Sequence, residues 1–196
     1  MEISYEEKKK KRIEKYECKD RLNEMEIDKS LKLLKPNSKS VIADIGSGTG
    51  VFAFEISKTV DKVFSIERQE MMIDIQRDKI SKGEGQNIEI LEEDIEGKSF
   101  CFKDNFLTGV ILITLVHEIE DKDKFINEIY RSLKKEGRVL VIDFKKDEEK
   151  LDMGPPLEER INDEEMERLF TDRGFKTIEY SKNMGYYYRY VFEVIK

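Results

Sequence analysis

The chain has 196 residues, with 36 Lys and Arg against 43 Asp and Glu and a formal net charge of -7. That length suits one substantial core rather than two domains, and the acidic balance argues against non-specific attachment to nucleic acid or to an anionic membrane surface. No apolar run approaches the roughly 20 residues that cross a bilayer, and the N-terminus, with Glu2, Glu6 and Glu7, lacks a signal-peptide apolar region, which predicts a soluble, cytoplasmic protein. Cys18, Cys101 and the single histidine, His117, supply neither a disulfide framework nor a zinc site, so no metal is expected.

Residues 1 to about 20 are polar and mixed in sign. The basic run from Lys8 to Arg12 is nearly cancelled by the surrounding Glu2, Glu6, Glu7, Glu14, Glu17 and Asp20, which reads as a solvated helix. Ile27, Leu31 and Leu34 then fall on one helical face, stopped by Pro36 and Asn37. Residues 1–35 are expected to form a helical cap or lid and residues 36–196 the core.

Val41-Ile42-Ala43-Asp44 is of strand type. It breaks into Gly46, Gly48 and Gly50 with Ser47 between them, before Phe52 and Ile56 restart at helical spacing. A strand, a tight turn and a helix start follow from that pattern. Glycines let backbone amides approach a bound group, and the first helical turn offers unsatisfied N–H groups and partial positive charge. The next strand, Lys62 to Glu67, ends in an acid 21 residues after Gly46 (67 minus 46). There a carboxylate can accept from both hydroxyls of a nucleoside ribose, with Arg68 beside it.

A helix from about Gln69 to Lys82 turns Met72, Ile73 and Ile80 inward, and Met72 is placed either to fill the core or to line an adenine slot. The third strand, Asn87 to Leu91, closes on Glu92, Glu93 and Asp94, where Asp94 would meet an adenine amino group unless the turn is simply solvated. Gly109 to Val116 is the most apolar run and reads as a central strand covered on both faces. His117 follows at its carboxyl end, where open α/β sheets place ligands; it is the candidate base or orienting donor, with Glu118 beside it.

Phe125, Ile129 and Leu133 mark another helix, ended by Glu136-Gly137, and Arg138 to Phe144 a fifth strand leading to Lys145 and Lys146. A stiff Met153 to Arg160 loop precedes a helix capped by Asn162 and Glu165 and ended by Gly174. Phe175 to Tyr180 and Tyr186 to Ile195 form a closing hairpin whose tyrosines are strand residues. Alternating strands and helices make this an α/β fold with a parallel, doubly wound sheet.

Two nucleotide-like guests put a ribose on an acid and a charged tail on a glycine turn. A dinucleotide fingerprint, Gly-x-Gly-x-x-Gly, would need glycine at position 51, and Val51 stands there. Asp44, two residues before the first glycine, would also oppose a pyrophosphate. The methionine tail of S-adenosylmethionine suits the site better, with its ammonium toward Asp44 and its carboxylate toward the helix start.

These residues resemble the class I S-adenosylmethionine-dependent methyltransferases, and within them the small type 11 proteins related to ubiquinone/menaquinone methyltransferases. Asp44 to Gly50 is similar to the first motif, Glu67 to the ribose acid, Asp94 to the adenine-side acid and Leu133 to Gly137 to the turn before the fifth strand; His117-Glu118 is similar to a pair that often follows the fourth. The resemblance implies a Rossmann-like seven-stranded sheet, mostly parallel with an antiparallel C-terminal hairpin. It also implies methyl transfer from S-adenosylmethionine to a small-molecule acceptor, leaving S-adenosylhomocysteine, in a monomer or homodimer. Thr108 departs from the usual Asp at the start of the fourth strand, and the absence of an Asn-Pro-Pro-Tyr or Asp-Pro-Pro-Tyr motif argues against a base amine as acceptor. Other readings are a protein or RNA methyltransferase and a non-catalytic S-adenosylmethionine-binding protein. Arsenite as acceptor is disfavoured, with only Cys18 and Cys101 as soft ligands. A lid is expected from residues 1 to 30, including Tyr16, Cys18 and Arg21, facing the Gly154 to Arg160 loop.

Overall fold

In the computed structural model, residues 3–95, 100–150 and 152–196 are described. Three helices come first: α1 (Tyr5–Tyr16), α2 (Lys19–Glu24) and α3 (Ile27–Lys32). They differ in how they are held. Ser4 and Glu7 cap α1 reciprocally, yet Lys9 is its one buried residue. From α2 onward Met25, Leu31 and Leu34 are buried in the main core.

The sheet is built from β1 (Val41–Ile45), β2 (Lys62–Glu67), β3 (Ile88–Glu92), β4 (Leu107–Ile113), β5 (Leu133–Phe144), β6 (Phe175–Met184) and β7 (Tyr187–Val194). Its order is β3-β2-β1-β4-β5-β7-β6. The first five strands pair in parallel and β7 lies antiparallel to both β5 and β6, the mostly parallel Rossmann-like sheet with a closing hairpin that the sequence implies. Strand order reverses between β1 and β4, which opens a crevice at their carboxyl ends.

Helices α4 (Val51–Ser57), α5 (Glu70–Ser81), α6 (Lys122–Ser132) and α7 (Asp163–Thr171) connect the strands. Each face of the sheet carries an apolar cluster. One gathers Phe125, Ile129, Met166 and Phe170 of α6 and α7, the other Phe52 and Ile56 of α4 with Leu31 and Leu34. Along β1, Ala43 and Ile45 enter the first cluster and Ile42 the second, so the period of two aims Asp44 at the α4 side.

Three boundaries differ from the expectation. β4 stops at Ile113, because Thr114 takes a left-handed backbone (φ 51), and a 3-10 turn covers Val116–Glu118. Helix α6 ends at Ser132 rather than at Glu136: Leu133, fully buried, already pairs with Leu107. Pairing then shifts register and resumes between Gly109 and Arg138. At that irregularity Thr108 Oγ1 accepts from the Val41 N–H (2.9 Å) and donates to the Val41 carbonyl (3.0 Å), so the residue that departs from the family pattern ties β4 to β1.

Candidate cofactor site

Gly46, Gly48 and Gly50 all have positive φ (69, 56 and 83°), a backbone that side chains strain. The turn they make is pinned on both sides. Above β2, the amides of Gly46 and Ser47 both donate to the Ile66 carbonyl (2.9 and 3.1 Å). Below it, fully buried Gln76 on α5 donates through Nε2 to the Gly48 carbonyl (2.7 Å) and Ser47 Oγ (2.9 Å). Ser65 Oγ completes that network at 2.7 Å from both Ser47 Oγ and Gln76 Oε1. Gln76 and Ser65 were not singled out from sequence; a glutamine four residues after Met72, on the inward face of α5, was the available signal.

Two carboxylates bracket the turn. Glu67 Oε2 accepts the Gly48 N–H, and Oε1 accepts the N–H groups of Arg68 and Gln69, each at 2.8 Å. Asp44 is 1% exposed, and its Oδ2 has no hydrogen-bond partner among the described residues. Burial pushes its pKa up to about 7; the Ala53 N–H, in the first turn of α4, opposes that rise and the charge of Glu67 adds to it. A buried carboxylate oxygen without a partner is costly, and a cation set against it would offset that cost.

Two connected compartments meet over the turn. The larger, a cavity of about 120 Å³, is walled by Glu67, Arg68, Met72, Glu93, Asp94, Ile95, Leu115, Glu118 and Ile119. The smaller, about 60 Å³, is walled by Asp44, Ser47, Thr49, Val51, Phe52, Arg21 and Leu22. Tyr16, Gly46, Gly48, Ile113 and Thr114 border both. A Cβ built on Gly48 would have nothing within 4 Å, so that glycine faces vacant space rather than packed protein.

The structure therefore brings Asp44, Gly46, Ser47, Gly48, Glu67, Arg68, Met72 and Asp94 to one cavity wall. Glu93 and Asp94 both reach it, with Asp94 paired to Arg68 at 3.4 Å. Gly50 lies beneath the wall as the residue that caps α4. His117 also stands outside the wall of both compartments. Its side chain, 5% exposed, hydrogen-bonds through Nδ1 to Asp143 (2.6 Å), while its backbone N–H reaches the other oxygen of that carboxylate (3.3 Å). Burial disfavours the charged imidazolium, but the hydrogen bond and charge of Asp143, with Glu118 and Glu159 beyond, outweigh it and raise the pKa above 6.5. The ring meets Phe144 edge-on, 5.8 Å between centroids.

The fold and its glycine-turn crevice define a Rossmann-like protein of the S-adenosylmethionine-dependent methyltransferase class. The chain belongs to the type 11 methyltransferase-domain family, whose sequence model matches residues 43–141, half of the chain. It is 29% identical over 118 residues to a demethylmenaquinone methyltransferase of Bacteroides fragilis (59% of this chain, 47% of that protein). It is 31% identical over 126 residues to the ubiquinone/menaquinone biosynthesis C-methyltransferase UbiE of Pseudomonas entomophila (62% and 48%). The chain thus spans about half the length of these relatives. Among solved structures, a SAM-dependent methyltransferase from Aquifex aeolicus superposes with TM-score 0.80 over 100% of both chains at 26% identity. The [4+2]-cyclase SpnF shares the fold (TM-score 0.75, 88% of this chain and 80% of that one) at 16% identity.

Proposed function

We propose that this protein transfers the methyl group of S-adenosylmethionine to a small-molecule acceptor in the cytoplasm. The observation that carries the reading is the buried Asp44 carboxylate, one oxygen of which has no partner among the described residues, beside a glycine cradle that opens into the cavity bearing Glu67. The residues fit the cofactor in three places. Asp44 offers a negative charge for the ammonium of the methionine tail. Glu67, already oriented by three amides, keeps lone pairs for ribose hydroxyls. Met72, Ile95, Leu115 and Ile119 give apolar walls to an adenine ring, with Glu93 and Asp94 at its edge.

When bound, the sulfonium supplies an already activated methyl group. The protein's task is to hold an acceptor in line with it and to exclude water. Tyr16 and Thr114, on opposite sides of the junction between the compartments, close the space there. The wall of the larger compartment carries Glu67, Glu93, Asp94 and Glu118 against Arg68, itself paired to Asp94. The formal net charge of -7 favours a small acceptor over RNA. The names of the quinone-pathway relatives support a small molecule too.

Calorimetry should show S-adenosylhomocysteine binding in preference to NADH; the opposite preference would end this reading. A methyl-transfer screen over thiols, phenols, quinols and amines then identifies the acceptor.

His117 we assign to positioning: its pairing with Asp143 ties the 3-10 turn after β4 to β5. His117→Asn should lower the melting temperature yet leave the pH profile of kcat in place. A profile that loses its acidic limb while the fold stays intact would instead make His117 the base.

A further inference from the structure

The smaller compartment has two charged poles. Asp44 is one; the other is Arg21 of α2. Its guanidinium lies over the Tyr16 ring at 5.1 Å and donates to neutral oxygens: Nη1 to the Tyr16 carbonyl (3.1 Å), Nε to Tyr187 Oη (3.3 Å) and Nη2 to Thr114 Oγ1 (3.4 Å). Two of these contacts are long, and a guanidinium has five N–H donors. Among the described residues no carboxylate lies within ion-pair distance of Arg21. Arg131, Arg138, Arg173 and Arg189 each meet one. Arg160, which does not, is saturated by four carbonyls at 2.6 to 3.0 Å.

Arg21 is also held firmly. Glu24, one turn on, accepts the Tyr186 N–H (3.2 Å). Met25 is fully buried, and the buried Arg189 binds Glu26 (3.0 Å) and Ser30 Oγ (2.9 Å) from below. One small compartment thus contains a carboxylate lacking a cation and, in its wall, a guanidinium lacking an anion. A zwitterion is the guest that gives both the buried Asp44 and the half-buried Arg21 a partner of opposite charge.

We propose that Arg21 binds the α-carboxylate of the methionine tail while Asp44 takes the α-ammonium, so that the pair selects for an intact amino-acid end. This rests on the S-adenosylmethionine reading and makes Arg21 a specificity residue of that site. The planar fork matches a carboxylate in two parallel hydrogen bonds, and the long contacts to Thr114 and Tyr187 are the ones it would exchange.

Three ligands separate the poles: S-adenosylhomocysteine carries both charges, decarboxylated S-adenosylmethionine only the ammonium, and 5′-methylthioadenosine neither. In calorimetry Arg21→Gln should weaken S-adenosylhomocysteine by about 10- to 100-fold and leave the other two within about threefold. Arg21→Lys should recover part of the loss, since a lysine keeps the charge without the fork. Equal losses for all three ligands would reduce Arg21 to a structural role. An unchanged S-adenosylhomocysteine affinity would also overturn the proposal, whether or not the acceptor KM rises. Failure of the underlying reading has a different signature: the unaltered protein would bind none of the three.

Discussion

Asp44→Asn should make the ligand-free protein more stable and the cofactor site nearly useless. Asn keeps an oxygen for the Ala53 N–H but cannot ionise. A carboxyl whose pKa rises from 3.8 to about 7 on folding costs on the order of 4 kcal/mol of stability when fully ionised. The folded state keeps its proton to higher pH than the unfolded chain does. The favourable contribution is therefore complete below about pH 4 and lost as pH climbs through about 7. Variant and wild type should melt alike near pH 4, with the variant melting higher by several degrees at pH 8. Affinity should run the other way. Wild-type binding of S-adenosylhomocysteine should strengthen as pH rises to about 7 and then level off, whereas the variant should show a flat profile that lies about 100-fold weaker at pH 7 and above and meets the wild type at low pH. Parallel pH slopes for the two proteins would show that Asp44 is not the ammonium partner.

Gly48→Ala and Gly50→Ala should fail in different ways, though both glycines belong to one turn and both have positive φ. At Gly50 a Cβ would come within 2.8 Å of the Phe54 ring and 3.1 Å of Gln76 Cγ, so packing and backbone both suffer. A loss of about 2–4 kcal/mol in denaturant unfolding is expected there. At Gly48 the added methyl meets nothing within 4 Å and costs only the backbone term, about 1–2 kcal/mol. It projects into the space meant for ligand, however, and S-adenosylhomocysteine affinity should fall by about 100-fold or more. A Gly48→Ala protein that binds normally would mean the cradle is not where the methionine tail lies.

The parts of this site that could be read in advance are those encoded locally. Three alternate glycines after an apolar strand specify the turn within ten residues, and the distance from Gly46 to Glu67 is one helix and one strand of ordinary length. Long-range partners were not legible. Gln76 sits 28 residues from Gly48, and only the packing of α5 against the turn reveals what its amide holds. Asp143, read as one residue of the fifth strand, turns out to anchor His117, and that contact draws the imidazole out of the cavity wall. The end of β4 was misplaced for a related reason. Leu115 and Val116 are as apolar as the strand before them, but they are buried in a turn whose course is fixed by the Thr114 N–H bonding to the Ile142 carbonyl (2.7 Å). Leu133 likewise satisfies the spacing of α6 and the burial of β5, and the pairing with Leu107 decides for the strand.

The unequal anchoring of the N-terminal helices separates the wall of the pocket from its door. Helix α1 rests on α5 through Tyr5 with Asp74 (2.7 Å), Lys9 with Asp78, and Glu17 with Lys79 (2.7 Å), contacts of which the exposed ones contribute roughly 0–1 kcal/mol each and weaken with salt. Lys79 also donates to the Thr49 carbonyl at 3.0 Å, so the same ammonium that fastens the helix touches the glycine turn. Under the proposed function, the residence time of a bound nucleoside should therefore follow the lifetime of these few contacts. Release is then expected to need only the peeling back of twelve residues, with Arg21 and everything beneath it in place.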